Sequence, residues 1–225
     1  MYFAIEGVIG VGKTTLARLL QPRMAANLLL EVFEENPFLS NFYSDRARYA
    51  FQTQIFFLLS RYHQQNRNVP QLLAQELPLI SDYTFEKDAL FASINLKGDE
   101  LEMYYRVHEA LAEKMTPPSM VVYLRASTET LMQRITMRDR PYERNMEVSY
   151  IEELNQAYDA FFLKRPQRRT PVLVIDSNTL DFVHSPDDLD WIENRIRQSL
   201  LLGPFQPELP LSANPSDEDQ PESAA

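Results

Sequence analysis

Ala4-Ile5-Glu6-Gly7-Val8-Ile9-Gly10-Val11-Gly12-Lys13-Thr14-Thr15-Leu16 holds three of the chain's five glycines. Residues 7–14 of this stretch match G-x-x-x-x-G-K-[ST]. The apolar run Tyr2–Ile5 reads as a buried strand, and the pattern after the glycines predicts a helix from about Lys13 to Ala26. Strand, glycine turn and helix are the context this motif requires. Glycine tolerates positive φ, so the backbone N–H groups of Gly7, Val8, Ile9, Gly10, Val11 and Gly12 can converge on phosphates. The helix N-terminus behind them adds partial positive charge. Lys13 is expected on the β- and γ-phosphates, Thr14 on Mg²⁺, and Thr15 beside them on the same nucleotide. A plain glycine turn is the alternative, and the joint match of motif and context argues against it.

Outward from this loop, short apolar runs alternate with helical periodicity. Leu28–Phe33 reads as a second strand. Phe51, Ile55, Leu58 and Tyr62 recur at helical spacing, predicting one long helix over 46–66. Leu77–Ser81 is a third strand. Residues 99–115 are helical by pattern and stop at Pro117-Pro118, before a fourth strand at Met120–Leu124. Ser127 is placed to cap a helix to about Met137, with Glu129 near its positive end. A basic, irregular stretch at 138–147 follows, and Ser149 opens a helix to Leu163. Pro171–Ile175 is a fifth strand, and a last helix runs from Pro186 to Leu201. The class is α/β: a five-stranded, mostly parallel sheet flanked by helices on both faces.

The chain has 225 residues, 44% of them hydrophobic and 24% charged, which suits one globular unit. With no cysteine, disulfides, zinc–thiolate sites and thiol nucleophiles are excluded. The net charge of −10 disfavours nucleic acid polymers and anionic membranes as partners. Half of that charge lies in Pro204–Ala225, where Glu208, Asp217, Glu218, Asp219 and Glu222 stand among five prolines without Lys or Arg. Residues 204–225 are therefore expected to be a disordered acidic tail on a 1–203 domain. No leader pattern is visible, and the apolar run at 55–59 is too short to span a bilayer, so a soluble cytoplasmic protein is expected.

Phosphate-loop proteins differ widely in function. No N-K-x-D motif marks a GTPase, and Leu79-Ile80-Ser81-Asp82 ends in a single acid rather than the pair usual in motors. The size and the arginines before the fifth strand fit a nucleoside or nucleotide kinase. Arg134, Arg138 and Arg140, with Arg144 nearby, are expected to form a cationic lid. Arg134 and Arg138 share a helix face, and clustered guanidiniums repel unless an anion lies between them. A solvated helix end is the alternative. Lys164, Arg165, Arg168 and Arg169 read as a solvated basic loop.

Six segments carry a more specific resemblance: AIEGVIGVGKTTL (4–16), EVFEENPFLSNFY (31–43), FQTQIFFLLSRYHQ (51–64), ISDYTFEKDALFA (80–92), VVYLRASTETLMQRITMRDRPYE (121–143) and IDSNTLDFV (175–183). Together they resemble the deoxyribonucleoside kinase family, particularly its bacterial deoxyguanosine/deoxyadenosine kinase branch. The resemblance implies a P-loop kinase fold with an Arg-rich lid, ATP and Mg²⁺ as donor and metal, and a homodimer. It implies transfer to the 5′-OH of a 2′-deoxynucleoside, with a purine preferred.

The resemblance also implies residue roles. Glu31 takes the general-base position, in Glu31-Val32-Phe33 where the family usually has E-P-V; Glu34 and Glu35 stand close by. Asp82 is the carboxylate near Mg²⁺. The family's following Arg is replaced here by Tyr83, and Lys87 is the nearest candidate for the missing charge. Tyr43 and Glu143 resemble the pair that binds the sugar 3′-OH. Gln54 and Arg61 resemble base readers, seven residues and about 10.5 Å apart on one helix face, with Asp88 pairing Arg61. Asp181 and Phe182 resemble the loop holding the ATP adenine. Lys13 and the lid arginines would stabilise the transition state. Tyr104, Tyr105 and His108 could equally line a dimer surface or the core. His63, His108 and His184 lack metal spacing. Two rival readings are a monophosphate kinase of thymidylate kinase type and a non-catalytic nucleotide-binding regulator.

Overall fold

The computed structural model describes residues 1–33, 35–144, 146–164 and 170–202, and in it the run before the glycine loop is strand Tyr2–Glu6 (β1). Every residue of β1 is buried, so both faces of this strand are covered. Helix Lys13–Met24 (α1) follows and ends where Ala25 turns left-handed, at φ 48°. The remaining strands are Asn27–Leu29 (β2), Leu79–Ser81 (β3), Met120–Arg125 (β4) and Val172–Asp176 (β5). All pairings are parallel, in the order β2-β3-β1-β4-β5. The α/β class with five strands holds, and the sheet is wholly parallel.

Between β2 and β3 lie helices Leu39–Ser44 (α2) and Arg46–Leu73 (α3). Asp45 caps α3 by accepting from the Arg48 N–H at 3.2 Å. Between β3 and β4 lie Lys87–Asn95 (α4) and Gly98–Ala112 (α5). Thr128–Arg138 (α6) follows β4 and is capped, as expected, by Ser127, whose Oγ accepts from Thr130 N–H at 3.2 Å. A 3-10 turn at Pro141–Glu143 leads into Val148–Leu163 (α7). Pro186–Leu202 (α8) comes last.

Several boundaries differ from expectation for physical reasons. The second strand stops at Leu29 rather than Phe33, because its neighbour β3 ends at Ser81 and no ladder partner continues. The long helix runs on to Leu73 through Pro70. The proline forfeits one hydrogen bond, but Val69, Leu72 and Leu73 pack with Tyr2, Leu29, Leu79 and Tyr83. Ser149 does not open α7: Glu147 is the capping position, and Ser149 lies in the first turn. The short helices α2 and α4 were not anticipated.

One large core unites both sheet faces, with Phe3, Ile5, Leu16, Leu20, Val122, Leu124, Ile135 and Ile175 buried in it. Tyr104 is fully buried within the chain and so belongs to the core, while His108 is half-buried and stacks on Phe85 at 4.9 Å. Among the described residues, no helix is long and apolar enough to cross a membrane. The expected acidic tail at 204–225, and Arg165, Arg168 and Arg169 of the basic run, lie outside the described residues.

Candidate active site

Open parallel sheets place ligands beyond the carboxyl ends of their strands. Here those ends deliver Glu6 and the glycine loop from β1, Glu31 just past β2, and Asp82 just past β3. The glycine loop adopts the backbone the motif requires. Gly10 and Gly12 have φ of 88° and 103°, a region that disfavours side chains. A Cβ on Gly10 would lie 2.7 Å from Ile135 Cγ1 and 3.0 Å from the Leu131 carbonyl oxygen. Gly10→Ala is therefore expected to weaken the loop's grip on a nucleotide's phosphates by about tenfold or more, since the backbone conformation alone costs about 1–2 kcal/mol. Equilibrium titration with ATP checks this, and unchanged affinity would contradict it.

Lys13, at the first turn of α1, donates to the carbonyls of Gly7 at 2.7 Å and Val8 at 3.2 Å. Burial, followed by the nearby Lys87 charge, lowers its pKa to about 8, against the pull of Glu6, Glu31 and Asp82. Thr14 donates its hydroxyl to Asp82 Oδ2 at 2.5 Å, while Asp82 Oδ1 accepts the Glu31 N–H at 2.8 Å. One carboxylate thus ties the starts or ends of three elements together. Thr14 and Asp82 present hard oxygen donors side by side, a set suited to Mg²⁺, which commonly takes one or two protein ligands and completes its shell with phosphates and water.

Glu31 lines the same cavity as Lys13, Thr14, Asp82 and Lys87. Lys87 Nζ donates to its Oε2 at 2.6 Å, and Arg61 Nε donates to its Oε1 at 2.8 Å. Burial acts to raise the Glu31 pKa. The Arg61 and Lys87 charges override it and hold the carboxyl well below the usual carboxylate range. Glu35, one of its two acidic neighbours, is exposed, and Glu34 lies outside the described residues.

The long helix α3 supplies the far wall. Gln54, Phe57 and Arg61 line the cavity at i, i+3 and i+7 spacing, with the Arg61 guanidinium 4.5 Å from the Phe57 ring centre. Arg61 also forms an ion pair with Asp88, which is fully buried behind it and does not itself line the cavity. Gln54 Oε1 and Thr53 Oγ1 are buried without a hydrogen-bond partner in the structure, and both residues line the cavity. Tyr43 stacks on Tyr142 at 6.2 Å. Burial, then Tyr150 and Glu143, push the Tyr43 phenol pKa well up, so it stays a neutral hydrogen-bonding group.

The lid arginines divide. Arg134 donates to the Val11 carbonyl at 3.3 Å and to the Ser177 carbonyl at 2.7 Å, which joins the glycine loop to the segment after β5. Arg138 donates to both oxygens of Glu143 at 2.7 Å, and Arg140 lies 3.7 Å from the same carboxylate and 4.3 Å from the Phe33 ring centre. The expected cluster of three guanidiniums is thus two guanidiniums on one carboxylate, with the third turned to backbone carbonyls. The 3-10 turn is the cause, because it folds Glu143 back beneath the end of α6. Arg144 turns outward to Asp139 at 2.7 Å. Asp181 and Phe182 line a second cavity with Gly12, Thr15, Arg134 and Arg138, on the other side of the glycine loop.

Some site residues escaped the sequence reading. Glu6 is fully buried and accepts from Thr84 N–H at 2.5 Å and Thr84 Oγ at 2.9 Å, bracing the glycine loop against the segment that carries Asp82 and Lys87. Its signal was an acid closing an otherwise apolar strand. Phe57 was legible from the spacing of Gln54 and Arg61. Phe33 and Tyr142 had no sequence signal, since they meet only through the irregular backbone around 141–143.

The deoxynucleoside kinase family model matches residues 3–201. Deoxyguanosine kinase of Bacillus subtilis (strain 168) is 34% identical over 203 residues, which cover 89% of this chain and 98% of that protein. Deoxyadenosine kinase of Dictyostelium discoideum is 33% identical over 84% of this chain and 76% of its own length. The solved structure of deoxyadenosine kinase from M. mycoides with bound dCTP superposes with a TM-score of 0.74 at 28% identity, covering 88% of this chain and all of that one.

Proposed function

The chain belongs to the deoxynucleoside kinase family, and from that premise we propose that its acceptor is a purine 2′-deoxynucleoside and its donor ATP with Mg²⁺. It is a phosphotransferase with an alcohol group as acceptor, which sets aside the monophosphate kinase and silent regulator readings.

The observation that carries the site assignment is the shared cavity, in which Glu31 faces Lys13, Thr14 and Asp82 on one side and Gln54 and Arg61 on the other. A deoxynucleoside bound with its base toward Gln54 and Arg61 presents its 5′-OH to Glu31. Tyr43 and Glu143, which line the same cavity, are then positioned for the sugar 3′-OH. Glu31, ionised at neutral pH, accepts the hydroxyl proton as the oxygen meets the γ-phosphorus.

Lys13 and the loop N–H groups hold the triphosphate, with Arg138 and Arg140 at the cavity mouth and Arg134 beside the second cavity. Thr14 and Asp82 would hold Mg²⁺, which supplies charge neutralisation on the β- and γ-phosphates. Asp181 and Phe182 border the space for the adenine. Gln54, whose buried Oε1 has no hydrogen-bond partner, and Arg61, held from behind by Asp88, favour a base that satisfies them, since a mismatched edge leaves polar groups unpaired. The purine preference follows the relatives. The same family reading makes the protein a homodimer.

Purified protein with Mg·ATP is expected to convert deoxyguanosine or deoxyadenosine to the 5′-monophosphate, with kcat/KM about tenfold or more above that for deoxycytidine or thymidine, the discrimination unpaired polar groups readily supply. Chromatographic product analysis across the four deoxynucleosides checks it. Faster turnover of a pyrimidine would overturn the purine assignment.

A further inference from the structure

Lys87 stands apart from the other cations of the cavity. It opens α4, where the helix dipole disfavours a positive charge. It is 3% exposed, and lysines are almost never buried without a partner. Its Nζ lies 2.6 Å from Glu31 Oε2, and among the described residues this hydrogen bond to Glu31 is the one it makes. An ammonium carries three donors, so two remain for the cavity that Lys87 shares with Lys13, Thr14 and Asp82. The adjoining position 83 is neutral: the Tyr83 ring centre lies 5.4 Å from the ammonium, and its hydroxyl donates to Gln64 at 2.5 Å.

We propose that Lys87 is a further catalytic residue, donating to the transferring phosphoryl group while it rests on Glu31. The inference rests on the assignment of Glu31 as base. Charge accounting supplies the reason. Before transfer, the Glu31 carboxylate balances the Lys87 ammonium. During transfer the 5′ oxygen bonds to the γ-phosphorus and its proton passes to Glu31. The bond from the γ-phosphorus to the β-phosphate oxygen breaks, and its electron pair leaves with the diphosphate. Glu31 is then neutral, and Lys87 loses its counter-anion as the phosphoryl oxygens arrive beside it. The freed positive charge follows the phosphoryl group from donor to acceptor. Lys13 faces the same space with a second ammonium, and the two charges are compatible when an anion sits between them.

A double-mutant cycle with Glu31→Gln tests the idea. Lys87→Met is expected to lower kcat by about 10²–10³-fold, with both KM values within about threefold, as loss of a preorganised donor does. Lys87→Arg should recover at least about a tenth of the rate. In the Glu31→Gln background, Lys87→Met should lower the residual rate again by at least about tenfold, because the contact to phosphoryl does not pass through Glu31. No added loss in that background would overturn the proposal and leave Lys87 as a positioning residue. A slow Glu31→Gln combined with an unaffected Lys87→Met would overturn this proposal alone. Glu31→Gln at wild-type turnover would overturn the base assignment and the proposal with it. Unchanged ATP affinity shows that each variant is folded. Should Lys87→Met not fold, Lys87→Gln, which keeps a donor on Glu31 without the charge, carries the same expectations.

Discussion

Glu31→Gln is expected to lower kcat toward a deoxynucleoside by about 10²–10⁴-fold, the range that a positioned base contributes. The amide keeps the shape of the carboxylate and still offers one oxygen to Arg61 or Lys87, so the cavity wall stays in place. What it lacks is a basic oxygen for the 5′-OH proton. Its NH₂ group also faces one of two cations that donate to Glu31 in the native chain. ATP affinity should stay within about threefold, because the glycine loop, Lys13 and Thr14 do not depend on that proton. Steady-state kinetics with saturating Mg·ATP, together with ATP titration, separate the two effects. A kcat within about tenfold of the native enzyme would remove Glu31 from the chemistry and turn attention to Asp82, the carboxylate that shares the cavity and bonds to Thr14.

Removing Arg61 should damage the fold itself. Its guanidinium serves two carboxylates, Glu31 and Asp88, and Asp88 has no exposed surface. Lys87 still balances Glu31 when Arg61 is lost, but Asp88 becomes a buried charge without an ion-pair partner among the described residues. Breaking such a pair from one side costs about 3–5 kcal/mol. For a chain of this size, Arg61→Met should therefore lower Tm by roughly 10 °C. Adding Asp88→Asn should return a substantial part of that loss, because the amide needs no counter-charge. Thermal denaturation of the single and double variants measures both. A double variant no more stable than Arg61→Met would show that the cost lies in packing on Phe57 rather than in the orphaned carboxylate.

Much of the architecture was legible because a parallel sheet covered on both faces reads as uninterrupted apolar runs, as in Tyr2–Ile5 and Met120–Leu124. The glycine loop was equally plain, since few other uses require that spacing before Lys and Thr. Legibility failed where geometry depends on a neighbour far along the chain. Leu30–Phe33 has strand composition, yet whether it pairs is decided by how long β3 runs. The lid failed in a similar way. The arginines were visible, but their partners are set by the turn at Pro141–Glu143, which folds one carboxylate beneath two of them. Helix α4 was hidden because its nine residues, Lys87–Asn95, give too short a window for a helical period to stand out. From the sequence, Lys87 is only the nearest candidate for the charge missing at Tyr83, and the fold is what brings it to Glu31.

The register of the central strand has a consequence for how the chain is made. Tyr2 pairs with Leu79, and Phe3 with Met120, so β1 sits between two neighbours that leave the ribosome long after it does. At roughly 5–20 residues per second, this apolar ribbon waits several seconds for both flanks. Meanwhile only helix formation nearby can shield it, and strand pairing across such distances is slow in any case. Nascent chains released short of residue 120 would carry Phe3 and Ile5 with one flank bare, and such fragments should be retained by cellular chaperones or precipitate.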